Sequence, residues 1–451
     1  MTVRKNSFAF CGGAFGDEGK GRIIDEVVNN ATENGEHIYI YRDNGGANAG
    51  HTVEFSNGQR VALHQLLSGV FTKKATMILG KGMVIHPGDL LTEMSQVKEA
   101  TVGTIPAKLF IDEMTVLSLD THRAFEGMLK QWEEGGKGST GRGISPAYAD
   151  VLLRHPLRMR DIKNFDQKKI EKHYNLYAAL VKGLGGELAT AEVATLAGEK
   201  IPVGSLETFV SRVKSQAADL ESYIQDVTQV MEKGWSDPKT TFIFEKAQAI
   251  GLDWRWGVYP DVTASDCTID GIFASSEGVV DPDMIGIRAG VIKATYMSSV
   301  GSRVLPTTME ETLANKIRED AHEYGATTKR PRGIAYIDIP ALQFYAKVGR
   351  LTHMVLTHMD MVYDETPIKV CTHYTVNNKS VAYRPDQEFL NTVEAHYVEF
   401  ETWSQKEIQH AKNKKELPTA AVKYIEFLEN QLGVKVWMMT TGPQRDQSIW
   451  Y

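Results

Sequence analysis

The 451-residue chain has little of what marks secreted, membrane-spanning or disulfide-rich proteins. It has only three cysteines, Cys11, Cys267 and Cys371, which lie far apart and without CxxC spacing. Neither a disulfide framework nor a zinc site is therefore expected. No apolar run is long enough to span a bilayer, and the one near the N-terminus is too short for a signal peptide. These absences predict a cytoplasmic protein with no membrane partner.

An excess of positive charge is also missing. The formal net charge is −7 and no basic run dominates, which argues against a general nucleic-acid surface. With 42% hydrophobic and 24% charged residues, the chain can bury a large core, and no Ser/Pro-rich linker divides it. We expect a single α/β domain over residues 1–451, with a helical subregion at about 165–240.

The first chemical pattern follows an apolar strand at Phe8–Cys11. A glycine-rich loop comes next, and a helical pattern begins near Gly19. Closely spaced glycines let backbone amides approach an anion, and a helix start adds unpaired N–H groups and a positive dipole end. Lys20 adds a charge and Asp17 a carboxylate. The spacing is not that of a P-loop, and Gly21 stands where Ser or Thr would bind magnesium. A phosphate-binding turn of another kind is predicted.

A second polar segment, residues 43–52, follows the next apolar strand and carries Asn48 and His51. Open α/β sheets bind ligands at the carboxyl ends of their strands, so we expect these two side chains to converge with Asp17 and Lys20 at the ends of two neighbouring strands. Either segment alone could equally be a polar turn with solvated side chains.

Taken together, GDEGKG at 16–21 and NAGHT at 48–52 resemble the adenylosuccinate synthetase family, ligases that join IMP to aspartate at the expense of GTP. The resemblance implies a large, mostly parallel central sheet flanked by helices, related to the P-loop NTPase fold. It implies Asp17 as general base, Lys20 as phosphate ligand and His51 as a donor to the transferring phosphoryl group. It also implies a Mg²⁺ cofactor held by Asp17 and Gly50.

The same resemblance implies where the GTP donor binds. THMD at 357–360 is similar to the family's guanine-reading TKLD, with Asp360 retained and His358 in place of the lysine. TTGPQR at 440–445 is similar to a loop that covers the same base. The residues implied for GTP are Gly16, Glu18, Gly19, Lys20, Gly21, His358, Asp360, Thr440, Gly442 and Pro443.

The IMP site is implied by matches spread along the chain. STGRGISPAY at 139–148 is similar to the family's TTGRGIGPAY, while FEKAQA at 244–249 is similar to FEGAQG, with Lys246 and Ala249 replacing glycines. Arg154 stands where an arginine of the family reaches the partner subunit's IMP, which implies a homodimer. The residues implied for IMP are Asn48, Thr140, Arg154, Gln248, Thr263 and Arg330.

GATTKRPR at 325–332 is similar to the family's aspartate loop, GATTGRPR. Guanidinium groups bind carboxylates bidentately, so two arginines flanking a proline suit a dicarboxylate, although an exposed basic turn would have the same pattern. The residues implied for L-aspartate are Thr327, Thr328, Arg330 and Arg332. Ser299 stands where the family has an arginine.

The implied reaction turns IMP, L-aspartate and GTP into adenylosuccinate, GDP and phosphate through 6-phosphoryl-IMP. The replacements at Lys246, Ala249, Ser299 and His358 leave open a changed acceptor or donor. One alternative is dGMP with ATP, as in phage relatives that lose the catalytic aspartate; Asp17 argues against that group. A purine-nucleotide-binding homologue without turnover is a second alternative.

Overall fold

The computed structural model describes residues 3–54, 60–101, 103–132, 139–301, 303–325, 331–364, 366–444 and 447–451, with the backbone alone at 51–54, 60 and 131. The strands are β1 (Arg4–Gly12), β2 (His37–Arg42), β3 (His51–Glu54), β4 (Arg60–Leu63), β5 (Ala75–Leu79), β6 (Val84–Ile85), β7 (Lys108–Asp112), β8 (Val116–Leu117), β9 (Glu192–Ala194), β10 (Lys200–Pro202), β11 (Ile224–Gln225), β12 (Thr240–Ala249), β13 (Ile285–Lys293), β14 (Met297–Ser299), β15 (Gly333–Ala335), β16 (Ile337–Asp338), β17 (His353–Thr357), β18 (Ile368–Val376), β19 (Lys379–Val381), β20 (Glu394–Phe400), β21 (Lys435–Thr440) and β22 (Ser448–Trp450). The helices are α1 (Lys20–Glu33), α2 (Pro87–Ala100), α3 (Asp120–Leu129), α4 (Ile144–Leu152), α5 (Met159–Lys163), α6 (Gln167–Gly183), α7 (Leu206–Leu220), α8 (Thr228–Ser236), α9 (Asp270–Ser275), α10 (Glu311–Asp320), α11 (Ile339–Val348), α12 (Gln387–Leu390), α13 (Gln405–His410) and α14 (Thr419–Leu432).

A ten-stranded sheet runs through the described residues in the order β11-β7-β5-β2-β12-β1-β13-β17-β21-β22. Its pairs are parallel except β21 with β22, so the predicted mostly parallel sheet is confirmed. β1 lies near the middle, with Ala9 opposite Phe244 on one side and Arg288 on the other. Parallel strands covered on both faces read as continuous apolar runs, which explains the patterns of β1 and β12.

Two expectations about the first strands are corrected. β1 and β2 are not neighbours, because β12 lies between them and pairs with both. Sequence order could not reveal this, since β12 is contributed by a segment 200 residues further on. His51 opens strand β3, which forms a separate hairpin with β4.

Helix α1 begins immediately after the glycine-rich loop. Gly19 precedes it in the left-handed conformation, at φ 88°, which a side chain rarely adopts. One face of the helix is buried, at Ile23, Ile24, Val27, Val28 and Ala31, which matches its helical apolar spacing. The burial fixes the start of α1, and therefore Lys20, against the sheet.

The region expected to be helical at about 165–240 contains α6, α7 and α8, together with the β9–β10 hairpin and the edge strand β11. It is thus joined to the central sheet through β11. Cys11, Cys267 and Cys371 are buried and unpaired, as their spacing predicted. Within the described ranges, helices of the length and apolarity needed to cross a membrane are not found.

Candidate functional site

The site lies at the carboxyl ends of the central strands of the sheet. These strands run parallel and end on the same side: β2, β12, β1, β13, β17 and β21. The loop after β1 is held in shape by Glu18, whose side chain is buried. Its Oε1 accepts from the amides of Gly16, at 2.7 Å, and Ala14, at 3.3 Å, and its Oε2 accepts from Lys20 Nζ at 3.0 Å. The Glu18 carboxylate therefore supports the loop from inside, and its role toward GTP stays a prediction.

Gly12 and Gly16 make this loop possible in different ways. A Cβ at Gly12 would lie 2.5 Å from both Ala249 Cβ and Glu18 Oε2, so a side chain there would expel the Glu18 carboxylate. Gly16 has φ 100°, in the region that favours glycine. Gly21 lies in the first turn of α1.

Asp17 stands at the mouth of the loop with a positive φ of 58° and a side chain that is 40% exposed. Its Oδ2 accepts from Arg332 Nη2, although the two residues are 315 positions apart in the chain. Burial lowers the pKa of Arg332 to about 10, which leaves the guanidinium charged at neutral pH. The structure thus brings the predicted base into contact with a predicted aspartate ligand.

Sequence reasoning missed the group behind Arg332. Arg332 Nη1 donates to Glu323 Oε2 at 2.6 Å, and the buried Glu323 carboxylate also accepts from Lys293 Nζ. The signals were weak: Lys293 ends an apolar strand pattern, and Glu323 directly precedes the basic loop. A buried carboxylate with two cationic partners could not be inferred from either residue alone.

The predicted IMP ligands Asn48, Gln248 and Thr263 lie together at the ends of β2 and β12. Asn48 Nδ2 donates to Thr263 Oγ1 at 3.4 Å, and Ser265 Oγ donates to Gln248 Oε1 at 3.1 Å. Gln248 Nε2 is buried and has no hydrogen-bond partner among the described residues. An amide donor left unpaired in a polar cluster is suited to a ligand acceptor. Gly45 permits this packing, since a Cβ there would be 2.9 Å from Gln248 Oε1.

Lys246, which replaces a glycine of the family beside Gln248, left a changed acceptor open. Its side chain is fully buried, and its ammonium pairs with the buried Asp43. A Cβ on Gly271 of α9 would be 2.8 Å from Lys246 Nζ, so α9 packs directly on the pair. Although burial opposes protonation, the carboxylates of Asp43 and Asp266 keep the pKa of Lys246 above its ordinary value. The lysine is compensated internally and remote from solvent.

The residues implied for guanine lie where β17 and β21 end. Thr440 joins the two strands, because its Oγ1 accepts from the His358 amide at 3.2 Å and its carbonyl accepts from the Met359 amide at 3.1 Å. Asp360 is 8% exposed, and its Oδ2 accepts from Gln409 Nε2 at 3.1 Å. Gln409, on α13, was not predicted.

His358 differs chemically from the lysine it replaces. Its ring lies edge-on to Tyr296, with ring centroids 5.9 Å apart. Burial, reinforced by the nearby charge of Lys293, lowers the pKa of His358 to about 3. The imidazole is therefore neutral at physiological pH, whereas a lysine would contribute a charge.

The loop after β21 is attached to α1 by Arg22, which sequence reasoning also missed. Arg22 donates to the carbonyl of Gly442 and, at 2.5 Å, to that of Gln444. Gly442 is buried and Pro443 is exposed. The loop that is expected to cover the donor base is thus fixed to the helix that follows the phosphate-type loop.

Thr140 and Arg154 are exposed. Among the described residues, the hydrogen bonds of Asn48, Gln248 and Thr263 go to other partners than these two. They flank the two ends of α4. Arg154 has φ 66° and follows Leu152 and Leu153, which are 79% and 65% exposed. This end of α4 thus presents exposed apolar side chains next in sequence to an exposed arginine.

Some predicted residues fall outside what is described. Thr327, Thr328 and Arg330 lie in the undescribed range 326–330, and of His51 only the backbone is described. Gly50 is exposed immediately before β3. Ser299 is buried in β14, opposite Gly333.

One buried cluster in the described part of the chain has metal-ligand composition: His122, Asp150 and His173 have ligand atoms within 4.8 Å of one another. The Leu119 amide donates to His122 Nδ1 at 2.9 Å, so the proton of this imidazole is on Nε2. That Nε2 lies 3.1 Å from Asp150 Oδ2 and donates to it. The cluster is a hydrogen-bonded link between α3, α4 and α6, without a free His122 nitrogen for a metal.

A glycine-rich anion loop with a carboxylate at its mouth, at the carboxyl edge of a parallel sheet, defines a nucleotide-binding α/β enzyme that handles phosphate. The family model of adenylosuccinate synthetase matches residues 9–449, and the chain belongs to this family. Its members are carbon–nitrogen ligases of purine nucleotide biosynthesis, and this chain is a ligase that joins IMP to L-aspartate with GTP.

Individual relatives agree with this placement. The adenylosuccinate synthetase of Pelodictyon phaeoclathratiforme is 31% identical over 452 residues, covering 99% of this chain and 98% of the relative. The fully ligated enzyme from Plasmodium falciparum superimposes with a TM-score of 0.84 at 28% identity, over 99% of this chain and 100% of that one. The succinoaminodeoxyadenylate synthetase of cyanophage S-2L, bound to dGMP and dATP, has a TM-score of 0.60 at 16% identity, over 99% and 95% of the two chains, and shares the fold.

Proposed function

We propose that the residues gathered at the sheet edge divide the ligase reaction into a phosphorylation and a displacement. The C6 carbonyl of IMP is amide-like and oxide is a very poor leaving group, so O6 must first be phosphorylated. Asp17 removes the N1 proton of IMP while O6 attacks the γ-phosphate of GTP. The amine of L-aspartate then displaces phosphate at C6.

The observation that carries this assignment is the contact between Asp17 and Arg332. A base for the purine and a cation for the dicarboxylate must both lie near C6, because the aspartate nitrogen attacks the carbon next to the deprotonated N1. Asp17 and Arg332, which the family resemblance gives separate roles, are distant in sequence but in contact in the structure. The exposed side chain of Asp17 is also open to a purine.

The other roles are those that the family resemblance implies. Lys20 and the loop amides bind the phosphates, with Gly16, Gly19 and Gly21 permitting close approach. His51 donates to the transferring phosphoryl group. Asn48, Thr263 and Gln248 hold IMP, with Gln248 Nε2 as a free donor. Asp360 reads guanine, and Thr440, Gly442 and Pro443 cover it beside His358. Thr327, Thr328, Arg330 and Arg332 bind the two carboxylates, with Arg330 also touching IMP.

A Mg²⁺ cofactor fits this donor set. The Asp17 carboxylate and the backbone carbonyl of the exposed Gly50 are hard oxygen donors of the kind that Mg²⁺ prefers. When bound, the ion neutralises charge on the donor's phosphates. Asp17 and Gly50 would hold it.

Phosphate release tests the substrate pair. The protein is assayed with L-aspartate and with IMP or dGMP, each crossed with GTP or ATP. We expect the highest kcat/KM with IMP and GTP, and a preference for dGMP would contradict the acceptor assignment. His358 is neutral where the family has a charged lysine, so ATP is the informative donor to compare with GTP. Absence of turnover with every pair would favour a nucleotide-binding homologue.

We further infer a homodimer in which Arg154 and Thr140 serve the IMP phosphate, with Arg154 acting in the partner's site. The exposed Leu152 and Leu153 beside Arg154 support an interface at this end of α4. Mixing inactive Arg154→Ala with inactive Asp17→Asn protein should restore activity, up to about a quarter of the sites if subunits exchange randomly. No restoration between exchanging dimers would exclude a shared site.

We also propose the domain organisation, the cellular location and the partners of the protein. Residues 1–451 form one domain, because β11 ties the mainly helical region to the central sheet. The protein acts in the cytoplasm on small-molecule substrates, without a nucleic-acid or membrane partner. Fractionation of cells and gel filtration of the purified protein test these points.

A further inference from the structure

Glu323 is a buried carboxylate with an unusual set of partners. It is 1% exposed, its Oε1 accepts from Tyr296 Oη at 2.5 Å and from Lys293 Nζ, and its Oε2 accepts from Arg332 Nη1 at 2.6 Å. Lys293 ends β13, at the same sheet edge as the site, and also donates to Ser298 Oγ at 2.6 Å. Two cations thus share one anion in the interior, and Glu323 is held from three directions.

The backbone ties Glu323 to Arg332 as well. The Arg332 amide donates to the Glu323 carbonyl at 3.0 Å, and Tyr324 and Pro331 form an adjacent β-bridge. The two residues are therefore bonded to each other on either side of the undescribed range 326–330, in which Thr327, Thr328 and Arg330 lie. Arg318 Nε donates to the Arg332 carbonyl at 2.9 Å, which also fixes the arginine from helix α10.

The guanidinium of Arg332 is divided between unequal partners. Nη1 faces the buried Glu323, whereas Nη2 faces Asp17, whose side chain is 40% exposed. Arg332 Nε has no hydrogen-bond partner among the described residues. Nε and Nη2 lie on the same edge of the planar group, which is one of the two edges that bind a carboxylate bidentately.

We propose that Glu323 is a positioning residue for the ligase reaction, which holds Arg332 so that its Nε–Nη2 edge receives a carboxylate of L-aspartate in place of Asp17. The inference rests on the proposed function. Glu323 is the permanent partner and Asp17 the exchangeable one. Binding of L-aspartate to Arg332 therefore releases the Asp17 carboxylate beside the purine.

The test compares Glu323→Gln with Glu429→Gln as a matched control. Glu429 is also a largely buried carboxylate paired with a lysine and a backbone amide, Lys435 Nζ at 2.9 Å and Val436 N at 2.8 Å, but it lies at the opposite end of β21 from the site. Steady-state KM values for L-aspartate, IMP and GTP are measured for each folded protein.

Loss of a charged hydrogen-bond partner should raise the KM for L-aspartate about 10- to 100-fold in Glu323→Gln. The KM values for IMP and GTP should change less than about threefold, because a general structural defect would move all three together. Glu429→Gln should leave all three unchanged while lowering stability. If Glu323→Gln does not fold, Glu323→Asp, which keeps the charge but shortens its reach, carries the same expectation.

An unchanged KM for L-aspartate in a folded Glu323 variant would overturn the proposal, as would an equal rise in all three KM values. These outcomes are distinct from failure of the proposed function, since that would appear as absence of turnover in the unaltered protein.

Discussion

Two ion pairs at the carboxyl edge of the sheet differ in how far water reaches them. Lys246 and Asp43 are both enclosed, with side chains 0% and 1% exposed, and α9 packs directly on them. Arg332 and Asp17 are 8% and 40% exposed, and the arginine has a second, buried partner in Glu323. We call the first pair closed, because both of its side chains are shielded from water. We call the second pair open, because water reaches its carboxylate.

This difference in solvent exposure determines whether a pair can exchange a partner for a ligand. Separating a closed pair leaves a buried charge without compensation, so the pair persists and shapes the loop around it. An open pair can exchange one partner for a ligand, because the released carboxylate is not left buried without a partner. The proposed chemistry therefore rests on Asp17, whereas Lys246, which departs from the family pattern, is enclosed in the fold.

The largest effect is expected from breaking the open pair. Asp17→Asn should lower kcat about 10²- to 10⁴-fold, since the general base is lost, while IMP affinity and folding stability change little. Turnover and equilibrium IMP binding are measured separately. Asp219→Asn, an exposed carboxylate on α7, is the control. A variant with near-normal kcat would remove Asp17 from the mechanism.

Breaking the closed pair should affect stability instead. Lys246→Met leaves Asp43 buried without its partner and should lower the free energy of unfolding by about 3–5 kcal/mol, measured in urea. The double variant Asp43→Asn with Lys246→Met should recover most of this loss and keep the KM for IMP. A single variant as stable as the parent would show that the pair does not support the fold.

The neutral His358 sharpens the comparison by its pH dependence. Its folded pKa is about 3, below the unfolded value of about 6.5, so between these values only the unfolded chain takes up the proton. The contribution of neutral His358 to stability is intact above pH 6.5 and is lost as pH falls, by up to about 1.4 kcal/mol per pH unit. Denaturation of the parent and of His358→Asn from pH 7 to pH 5 should give a shallower slope in the variant. Equal slopes would contradict the assigned burial.

The smallest effect is expected beside Asp360, whose partner is neutral. Gln409→Ala removes a hydrogen bond worth about 1 kcal/mol, so the KM for GTP should rise roughly fivefold while that for IMP stays constant. The control is Gln343→Ala, which removes a side-chain amide that donates to the Gln431 carbonyl. A rise in the KM for IMP alone would place Gln409 on the acceptor side.

Local patterns by themselves determined much of this protein. Glycines after an apolar strand predicted the loop and the start of α1, because left-handed backbone and close approach exclude side chains there. Apolar patterns predicted β1 and α1, and ordered motifs identified the family. These signals are contained within short segments, so one sequence is enough to read them.

Tertiary structure decided which distant residues meet. It inserted β12 between β1 and β2, paired Lys246 with Asp43, and placed Glu323 behind Arg332. It also turned Glu18 into the loop and lowered the pKa of His358 through burial. Ion pairing and desolvation depend on groups that arrive from elsewhere in the chain, and no local pattern carries that information.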